Sequence, residues 1–295
     1  MEPDAVNISS RGAAETATLT KKGGSSSWCP SSGLRRAGAV AALFFFASIL
    51  ADAASIALSP AETRRIGNKI WQNECKGTLA GLTSWNAGEN FASLGIGHFI
   101  WYPEGVRGPF EESFPKLVDF VAGRGAKLPE VVVPKGSCPW NSRIEFNQAS
   151  QTVRMKELRQ FLANTVDLQA EFLVERLQKA LPKMLAEATP ARREQVREQF
   201  ERVANSPGGY YALVDYVNFK GEGVLATERY AGQGWGLLQV LEGMSQPSTD
   251  GEAVKNFAAS AKRVLTNRVH NAPPKRNEAR WLPGWHSRIN TYVQR

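Results

Sequence analysis

Apolar residues recur at helical spacing through a long central stretch, and this periodicity constrains the fold more than any other feature. Between residues 151 and 205 a large apolar side chain returns every three or four positions. The stripe consists of Met155, Leu158, Phe161, Leu162, Leu168, Phe172, Leu173, Leu177, Leu181 and Leu185. Residues three and four apart share one face of an α-helix, so the stripe predicts helices that pack into a core. We expect core packing here rather than a cofactor site.

A helix start is predicted at Ser59, which can cap the helix. A proline follows at the first helical position, and Glu62 completes a capping box. The helix should run to about Cys75, because Gly77 is placed to stop it. Further helices are expected over 111–121, 189–205, 210–219, 234–244 and 251–267, and a tail over 281–292 closes the chain.

Residues 77–102 differ from the helical segments. They are rich in Gly, Asn, Ser and Thr and contain a β-prone piece over 94–102. This composition predicts a small β-hairpin region. The expected fold class is therefore mostly α, with one small β region.

The first 33 residues are rich in Ser, Gly, Ala and Thr and contain few large apolar groups. Such a segment buries too little surface to offset the entropy of ordering it. Residues 1–33 are therefore expected to be disordered. As the leader of an export signal they are unusually long, which raises the alternative that they are not translated.

An export signal is predicted over residues 34–53. Arg35 and Arg36 precede a 14-residue apolar run, and residues 51–53 read Ala-Asp-Ala. A membrane-spanning helix needs about 20 apolar residues. A basic pair, a short apolar run and an A-x-A site are instead typical of a cleaved secretory signal. The alternative is a retained membrane anchor, because apolar residues continue through 37–58.

The net charge and the numbers of cysteines and histidines indicate which partners and cofactors to expect. The chain has 36 Lys+Arg against 28 Asp+Glu, a formal net charge of +8. An exported basic protein suits an anionic partner such as a cell-wall polymer, and the alternative is that the charge only aids solubility. Export and the lack of a basic stripe interleaved with aromatics argue against nucleic acid. With 3 His and 3 Cys, no metal site and no cofactor are expected.

Residues 71–102 carry the groups with the clearest chemistry. Glu74 is expected at the end of the first helix, Glu89 in a polar loop, and Gly-Ile-Gly-His at 95–98 on a short strand. Glycoside hydrolysis needs a protonated carboxyl beside the leaving oxygen and a second group that handles water or the developing cation. The negative end of the helix dipole favours the protonated form of Glu74.

This arrangement resembles the phage-type lysozymes, the muramidase and endolysin branch of the lysozyme-like superfamily. In that family a catalytic Glu ends the first helix, and a β-hairpin follows with an Asp and a Thr two residues before Gly-x-Gly-His. Glu74 falls on the acid, residues 95–98 on the glycine-histidine motif, and Ser93 on the Thr that positions water. The Asp position falls near Ala87, and Glu89 two residues later is predicted to serve instead.

The resemblance continues downstream. Residues 211–221 are similar to the family's buried helix, and residues 281–288 to its C-terminal Leu-Pro-Gly segment. The resemblance implies a lysozyme-like α+β fold. Residues 54–295 would form a single catalytic domain with a helical insertion around 103–200.

The resemblance also implies an enzyme, a glycosidase of the peptidoglycan hydrolase class. It would be a monomeric muramidase that cleaves the β-1,4 bond between N-acetylmuramic acid and N-acetylglucosamine in cell-wall glycan strands. With an export signal it would act in the periplasm or outside the cell. One alternative is a noncatalytic peptidoglycan-binding or envelope protein on the same fold. Another is a lytic transglycosylase, which needs only one acid.

Substrate binding is predicted for polar and aromatic residues around this segment and in two glycine-rich loops at 221–223 and 230–236. Sugars stack on aromatic faces and hydrogen-bond to amides and carboxylates, and function concentrates on loops. The predicted substrate-binding residues are His98, Asn218, Glu222, Gln233 and Trp235. The alternative for Trp235 is a core position, and for His98 a structural hydrogen bond behind the site.

A disulfide is predicted between Cys75 and Cys138. These are the two cysteines that remain once the leader is removed. The space outside the cytoplasm is oxidising, which favours a bridge. The alternative is a pair of buried thiols that behave as small apolar groups.

Overall fold

The computed structural model describes residues 58–108, 110–245 and 252–294. The predicted disordered segment over 1–33 and the predicted export signal over 34–53 lie outside the described residues. Within the described ranges, no helix is both long enough and apolar enough to cross a membrane.

The described residues fold mainly into α-helices, as the periodicity predicted. The helices are α1 (Pro60–Cys75), α2 (Phe114–Gly123), α3 (Arg143–Gln148), α4 (Val153–Asn164), α5 (Val166–Glu187), α6 (Pro190–Ala204), α7 (Gly209–Lys220), α8 (Leu237–Glu242), α9 (Ala253–Asn271) and α10 (Leu282–Asn290). α1 packs against α5 and α7. The segment predicted as an insertion therefore contributes helices to the same core as the first helix.

Two small antiparallel sheets accompany the helices. The strands are β1 (Thr83–Ser84), β2 (Ala92–Leu94), β3 (Phe99–Trp101), β4 (Arg229–Tyr230) and β5 (Gln233–Gly234). The first three form one sheet in the order β1-β2-β3, and the last two form a hairpin. The mostly-α fold with a small β region is thus confirmed.

The start and end of α1 follow from local chemistry. The Ser59 hydroxyl accepts a hydrogen bond from the Glu62 backbone N–H at 3.3 Å, and the Glu62 carboxylate accepts one from the Ser59 N–H at 3.1 Å. The predicted capping box is therefore present. The helix ends where Lys76 and Gly77 both adopt left-handed backbone angles. These two ends place Glu74 in the last turn.

The Gly-Ile-Gly-His segment forms the turn between β2 and β3, so its predicted place on a strand was wrong. The Ile96 N–H donates to the Gln169 side chain on α5 at 2.9 Å, which fixes the turn against that helix. Gly95 has a φ of +69°, and a Cβ there would lie 2.3 Å from the Gln169 oxygen. Only glycine adopts this backbone angle readily and leaves room for the Gln169 oxygen. The motif therefore packs the hairpin against α5.

Candidate active site

Glu74 is a buried carboxyl held by residues from three other segments. Its side chain is 4% exposed. His98 Nδ1 lies 3.3 Å from Oε2, and Arg288 Nη2 lies 2.7 Å from Oε1. Asn218 on α7 donates its amide N–H to Oε1 at 3.3 Å. The β2–β3 turn, α7 and α10 thus converge on the end of α1.

Arg288 binds a second carboxylate as well as Glu74. Its Nε and Nη2 donate to the two oxygens of Asp215, both at 2.8 Å. Tyr292 donates its hydroxyl to the same carboxylate at 2.7 Å. Bidentate pairs of this kind are strong and geometrically specific. Burial alone would lower the pKa of Arg288, but the charges of Asp215 and Glu74 raise it well above its ordinary value.

Two protonated tyrosines lie near this cluster. Burial and the charge of Asp215 raise the pKa of Tyr211 to about 12 and the pKa of Tyr292 well above its ordinary value. Both phenols therefore keep their protons at neutral pH. Tyr211 links Asn73 on α1 to the end of α10, because its hydroxyl contacts Asn73 and Thr291, each at 2.7 Å.

The two cysteines are free buried thiols, so the predicted disulfide between Cys75 and Cys138 was wrong. The Cys75 sulfur faces the hairpin turn, 3.6 Å from the Gly95 carbonyl and 3.8 Å from His98 Nε2. Cys138 pairs through its backbone with the segment that follows β3. Burial raises the pKa of Cys138 to about 12 and that of Cys75 well above its ordinary value. Such thiols are unreactive.

The two residues predicted to handle water lie in the small sheet. Glu89 is half-buried in the turn before β2, where its carboxylate accepts a hydrogen bond from Asn86 at 3.1 Å. Ser93 is the central residue of β2 and is 1% exposed. Its hydroxyl makes no hydrogen bond to any residue that the structure describes. That Glu89 and Ser93 act on water beside Glu74 remains a prediction.

The predicted substrate-binding residues divide into two groups. His98 and Asn218 contact Glu74 directly. Glu222 pairs instead with Lys183 at 2.9 Å. Gln233 is exposed on β5 and accepts a hydrogen bond from Asn271 on α9.

Trp235 is a core residue, so its predicted role in sugar stacking was wrong. It is 1% exposed, and its ring packs 4.5 Å from the Tyr230 ring. The Trp235 carbonyl also accepts the buried Tyr216 hydroxyl at 2.8 Å. A ring covered in this way has no face for a sugar.

A cleft of about 390 Å³ lies between the end of α1 and α10. Its lining includes Asn73, which directly precedes Glu74, and Arg288, which binds it. Two tryptophans, Trp281 and Trp285, also line the cleft, and Trp281 is only half-buried. The cleft thus combines an aromatic surface with polar groups beside the buried acid.

Cationic and aromatic side chains alternate in the interior behind the acid. We call this arrangement the cation–aromatic stack. It consists of Arg288, Phe219, Lys220, Trp285, Arg268 and Trp235. The Lys220 Nζ lies 3.9 Å from the centre of the Phe219 ring and 3.5 Å from that of Trp285. At the far end Arg268 binds Glu278 through two hydrogen bonds of 2.7 and 2.9 Å.

Opposing effects act on the charge of Lys220. Each aromatic face attracts an ammonium by about 2 kcal/mol in a dry site. Burying an ion costs several kcal/mol, and each unmade hydrogen bond adds about 1–3 kcal/mol. Lys220 is fully buried, and its Nζ has no hydrogen-bond partner among the described residues. Burial and then the charges of Arg268 and Arg288 hold the pKa of Lys220 well below its ordinary value.

The sequence prediction did not assign roles to Arg288, Asp215 or Lys220. A signal for Asp215 was present, because it lies inside an otherwise apolar run, whereas Lys220 stands at the end of that run and gives no such signal. Charged residues inside an apolar run indicate buried pairs. The run does not indicate which arginine would reach Asp215.

Comparison with protein families, curated proteins and solved structures finds no match for this chain. Among the described residues no group of His, Cys, Asp and Glu could hold a metal ion.

Proposed function

We propose that this protein is an exported peptidoglycan hydrolase, a muramidase with Glu74 as its general acid. The observation that carries the proposal is the buried carboxyl of Glu74, held by His98, Asn218 and Arg288 from three separate segments. A solvated surface glutamate needs no such shell. Convergence of polar groups on one buried carboxyl beside a cleft is typical of an active site.

The groups around Glu74 have opposing effects on its protonation. Burial and the end of α1 favour the protonated acid, whereas the Arg288 guanidinium favours the carboxylate. Asp215 takes two hydrogen bonds from the same guanidinium and so neutralises much of its charge. In the proposed reaction Glu74 holds a proton and gives it to the leaving oxygen.

Water would be handled at the small sheet. The Ser93 hydroxyl has unused hydrogen-bonding capacity, since none of the described residues bonds to it. We assign it the positioning of water, with Glu89 as the second carboxylate. Carboxyls of an inverting glycosidase lie about 6.5–9.5 Å apart. We assign sugar stacking to Trp281, which lines the cleft and is half-buried, in place of the buried Trp235.

Digestion of purified cell-wall sacculi tests the general acid. Glu74→Gln keeps the shape of the side chain and removes its acid. We expect the rate of sugar release to fall by about 10²–10⁴-fold, the usual contribution of a positioned acid. Glu198→Gln is the matched control, because Glu198 is an exposed glutamate on α6. Equal digestion by Glu74→Gln and the wild type would show that Glu74 is not the acid, whereas wall binding without digestion by the wild type would support a noncatalytic wall-binding protein.

A lytic transglycosylase is the second candidate. Its support is that the Glu89 carboxylate is engaged by Asn86 within its own turn, and Asp215 is bound by Arg288 and Tyr292. A reaction with one acid needs only Glu74. Mass spectrometry of the released fragments separates the two reactions, because a transglycosylase leaves an anhydro-sugar end and a hydrolase leaves a reducing end.

A further inference from the structure

A second cleft, of about 800 Å³, lies between α6, the β4–β5 hairpin, the end of α8 and α9. It shares no lining residue with the cleft beside Glu74. Its walls include Gly232, Gln233 and Gly234, from a glycine-rich loop for which the sequence predicted substrate binding. A volume of this size is typical of a ligand pocket. The proposed reaction at Glu74 does not use this cleft.

Cations predominate among the charged residues that line the second cleft. Arg192 on α6, Arg229 on β4, and Lys262 and Arg263 on α9 all line it. The lining includes one carboxylate, that of Glu242 at the end of α8. The lining thus carries four positive charges and one negative charge.

Two of the arginines are held in place by neutral groups. Arg192 Nη1 donates to the Gln195 side chain at 2.9 Å, and Arg263 Nη2 donates to the Gly243 carbonyl at 2.6 Å. Neither guanidinium forms a salt bridge with a carboxylate that the structure describes. A bond to a neutral acceptor orients a guanidinium without cancelling its charge. Each guanidinium has five N–H donors, so both keep donors for a ligand.

The carboxylates of Glu187 and Glu242 do not balance these charges. Glu187 accepts a hydrogen bond from Arg229 Nη2 at 2.7 Å and so compensates one cation. Burial raises the pKa of Glu242, although the charges of Arg192 and Arg229 oppose that rise. Even with both carboxylates ionised, the four cations leave a surplus of two positive charges. A cleft with such a surplus attracts anions.

The positions of the arginines favour phosphate over carboxylate as the anion. Arg192 and Arg229 both act on the charge of Glu242, and Arg263 binds the next residue, so guanidinium groups from three elements gather at the end of α8. A carboxylate has two oxygens in one plane and is matched by a single guanidinium. A phosphate group offers three strong acceptor oxygens in different directions. Donors that come from α6, β4 and α9 therefore suit a phosphate group.

We propose that this cleft is a binding site for a ligand with two or more phosphate groups, held by Arg192, Arg229 and Arg263. Two phosphate charges would neutralise the surplus of the cleft. The side-chain amides of Gln233 and Asn267, which also line it, would bind the uncharged part of the ligand. A free polyphosphate and a chain of phosphodiester-linked units both present these groups.

Isothermal titration calorimetry of the full chain with inorganic tripolyphosphate, in about 0.15 M salt, tests the site. Arg192→Gln and Arg263→Gln should each weaken binding about tenfold, because each removes a hydrogen bond between charged groups. Arg154→Gln is the matched control and should bind as the wild type does, since Arg154 is exposed on α4 and does not line the cleft. Arg192 bonds within its own helix, so Arg192→Gln decides the question if Arg263→Gln does not fold.

Three results would overturn the proposal. One is the absence of tripolyphosphate binding at about 1 mM. Another is equal weakening in Arg192→Gln and Arg154→Gln, which would show diffuse attraction to a basic protein. The third is tighter binding of a glutamate pentapeptide than of tripolyphosphate, which would assign the cleft to carboxylates.

A glycerol phosphate oligomer distinguishes the two sources of phosphate. Binding of this oligomer, weakened in Arg192→Gln, would assign the cleft to a phosphodiester chain. Binding of tripolyphosphate without binding of the oligomer would assign it to a free polyphosphate. Glu74→Gln should bind both probes as the wild type does, because the two clefts share no lining residue. The result is therefore independent of whether the protein cleaves peptidoglycan.

Discussion

Two buried arginine–carboxylate clusters lie at opposite ends of the cation–aromatic stack and differ in their balance of charge. Among the described residues, Arg268 binds one carboxylate, that of Glu278, through two hydrogen bonds. Arg288 binds both Asp215 and Glu74. Both clusters are almost fully shielded from solvent. The two clusters therefore differ in how many carboxylates each arginine binds and not in how deeply they are buried.

The comparison separates an ion pair with one counter-charge from a cluster with two. In the pair of Arg268 and Glu278, loss of either charge leaves the other buried without a counter-charge. Loss of the Glu74 charge would leave Arg288 paired with Asp215. We therefore expect the fold to tolerate loss of the Glu74 charge at a smaller cost than loss of the Glu278 charge.

The largest effect on stability should come from breaking the pair of Arg268 and Glu278. Glu278→Gln leaves the Arg268 guanidinium buried without its counter-charge. Removing one partner of a buried pair costs about 3–5 kcal/mol, so the free energy of unfolding should drop by that amount. Urea unfolding at neutral pH measures it, with Glu198→Gln as the surface control. A loss as small as that of the control would show that the two clusters do not differ in this way.

A smaller effect is expected at Lys220, between the clusters. Unfolding exposes the lysine to water, where it binds a proton below about pH 10.4. Burial and the two arginines depress the pKa of the folded state. Wild-type stability should therefore fall by about 1.4 kcal/mol for each pH unit below 10.4, until the folded pKa is reached.

Lys220→Met should remove this pH dependence. The variant would then gain stability relative to the wild type as pH falls from about 9 to about 7. Urea unfolding of both proteins at the two pH values gives the difference. If the difference were the same at both, Lys220 would carry the same charge in the folded and unfolded states.

The smallest effect should come from Glu74→Gln. Arg288 keeps its two hydrogen bonds to Asp215, so no buried charge loses its only partner. We expect the free energy of unfolding to change by less than about 1 kcal/mol. The same Glu→Gln substitution would then cause a large loss of stability at Glu278 and a small change at Glu74, at the two ends of the stack. A large loss in Glu74→Gln would assign Glu74 a structural role.

Local signals predicted the elements that position Glu74. The capping box at Ser59 and the left-handed end at Gly77 involve neighbours in sequence, so both could be read directly. The small β region around 77–102 was also predicted, from its composition. Within it, the segment 95–98 was misplaced on a strand, because its demand for a turn comes from Gln169 on a distant helix.

Contacts between distant segments could not be predicted. Glu74 and Arg288 come from opposite ends of the described chain, and no local pattern joins them. The glycine-rich loop around Trp235 has the same composition whether its ring binds sugar or packs in the core, and only burial decides. The count of cysteines likewise gives no distance between Cys75 and Cys138.

The contribution of α1 and α10 to one cluster has a consequence for biosynthesis. The ribosome makes Glu74 early and makes Arg288 and Tyr292 only near the end of the described chain. Because chains fold as their segments emerge, the ion cluster cannot close until α10 docks. A nascent chain that lacks α10 therefore carries Glu74 without Arg288, its ion-pair partner in the folded protein.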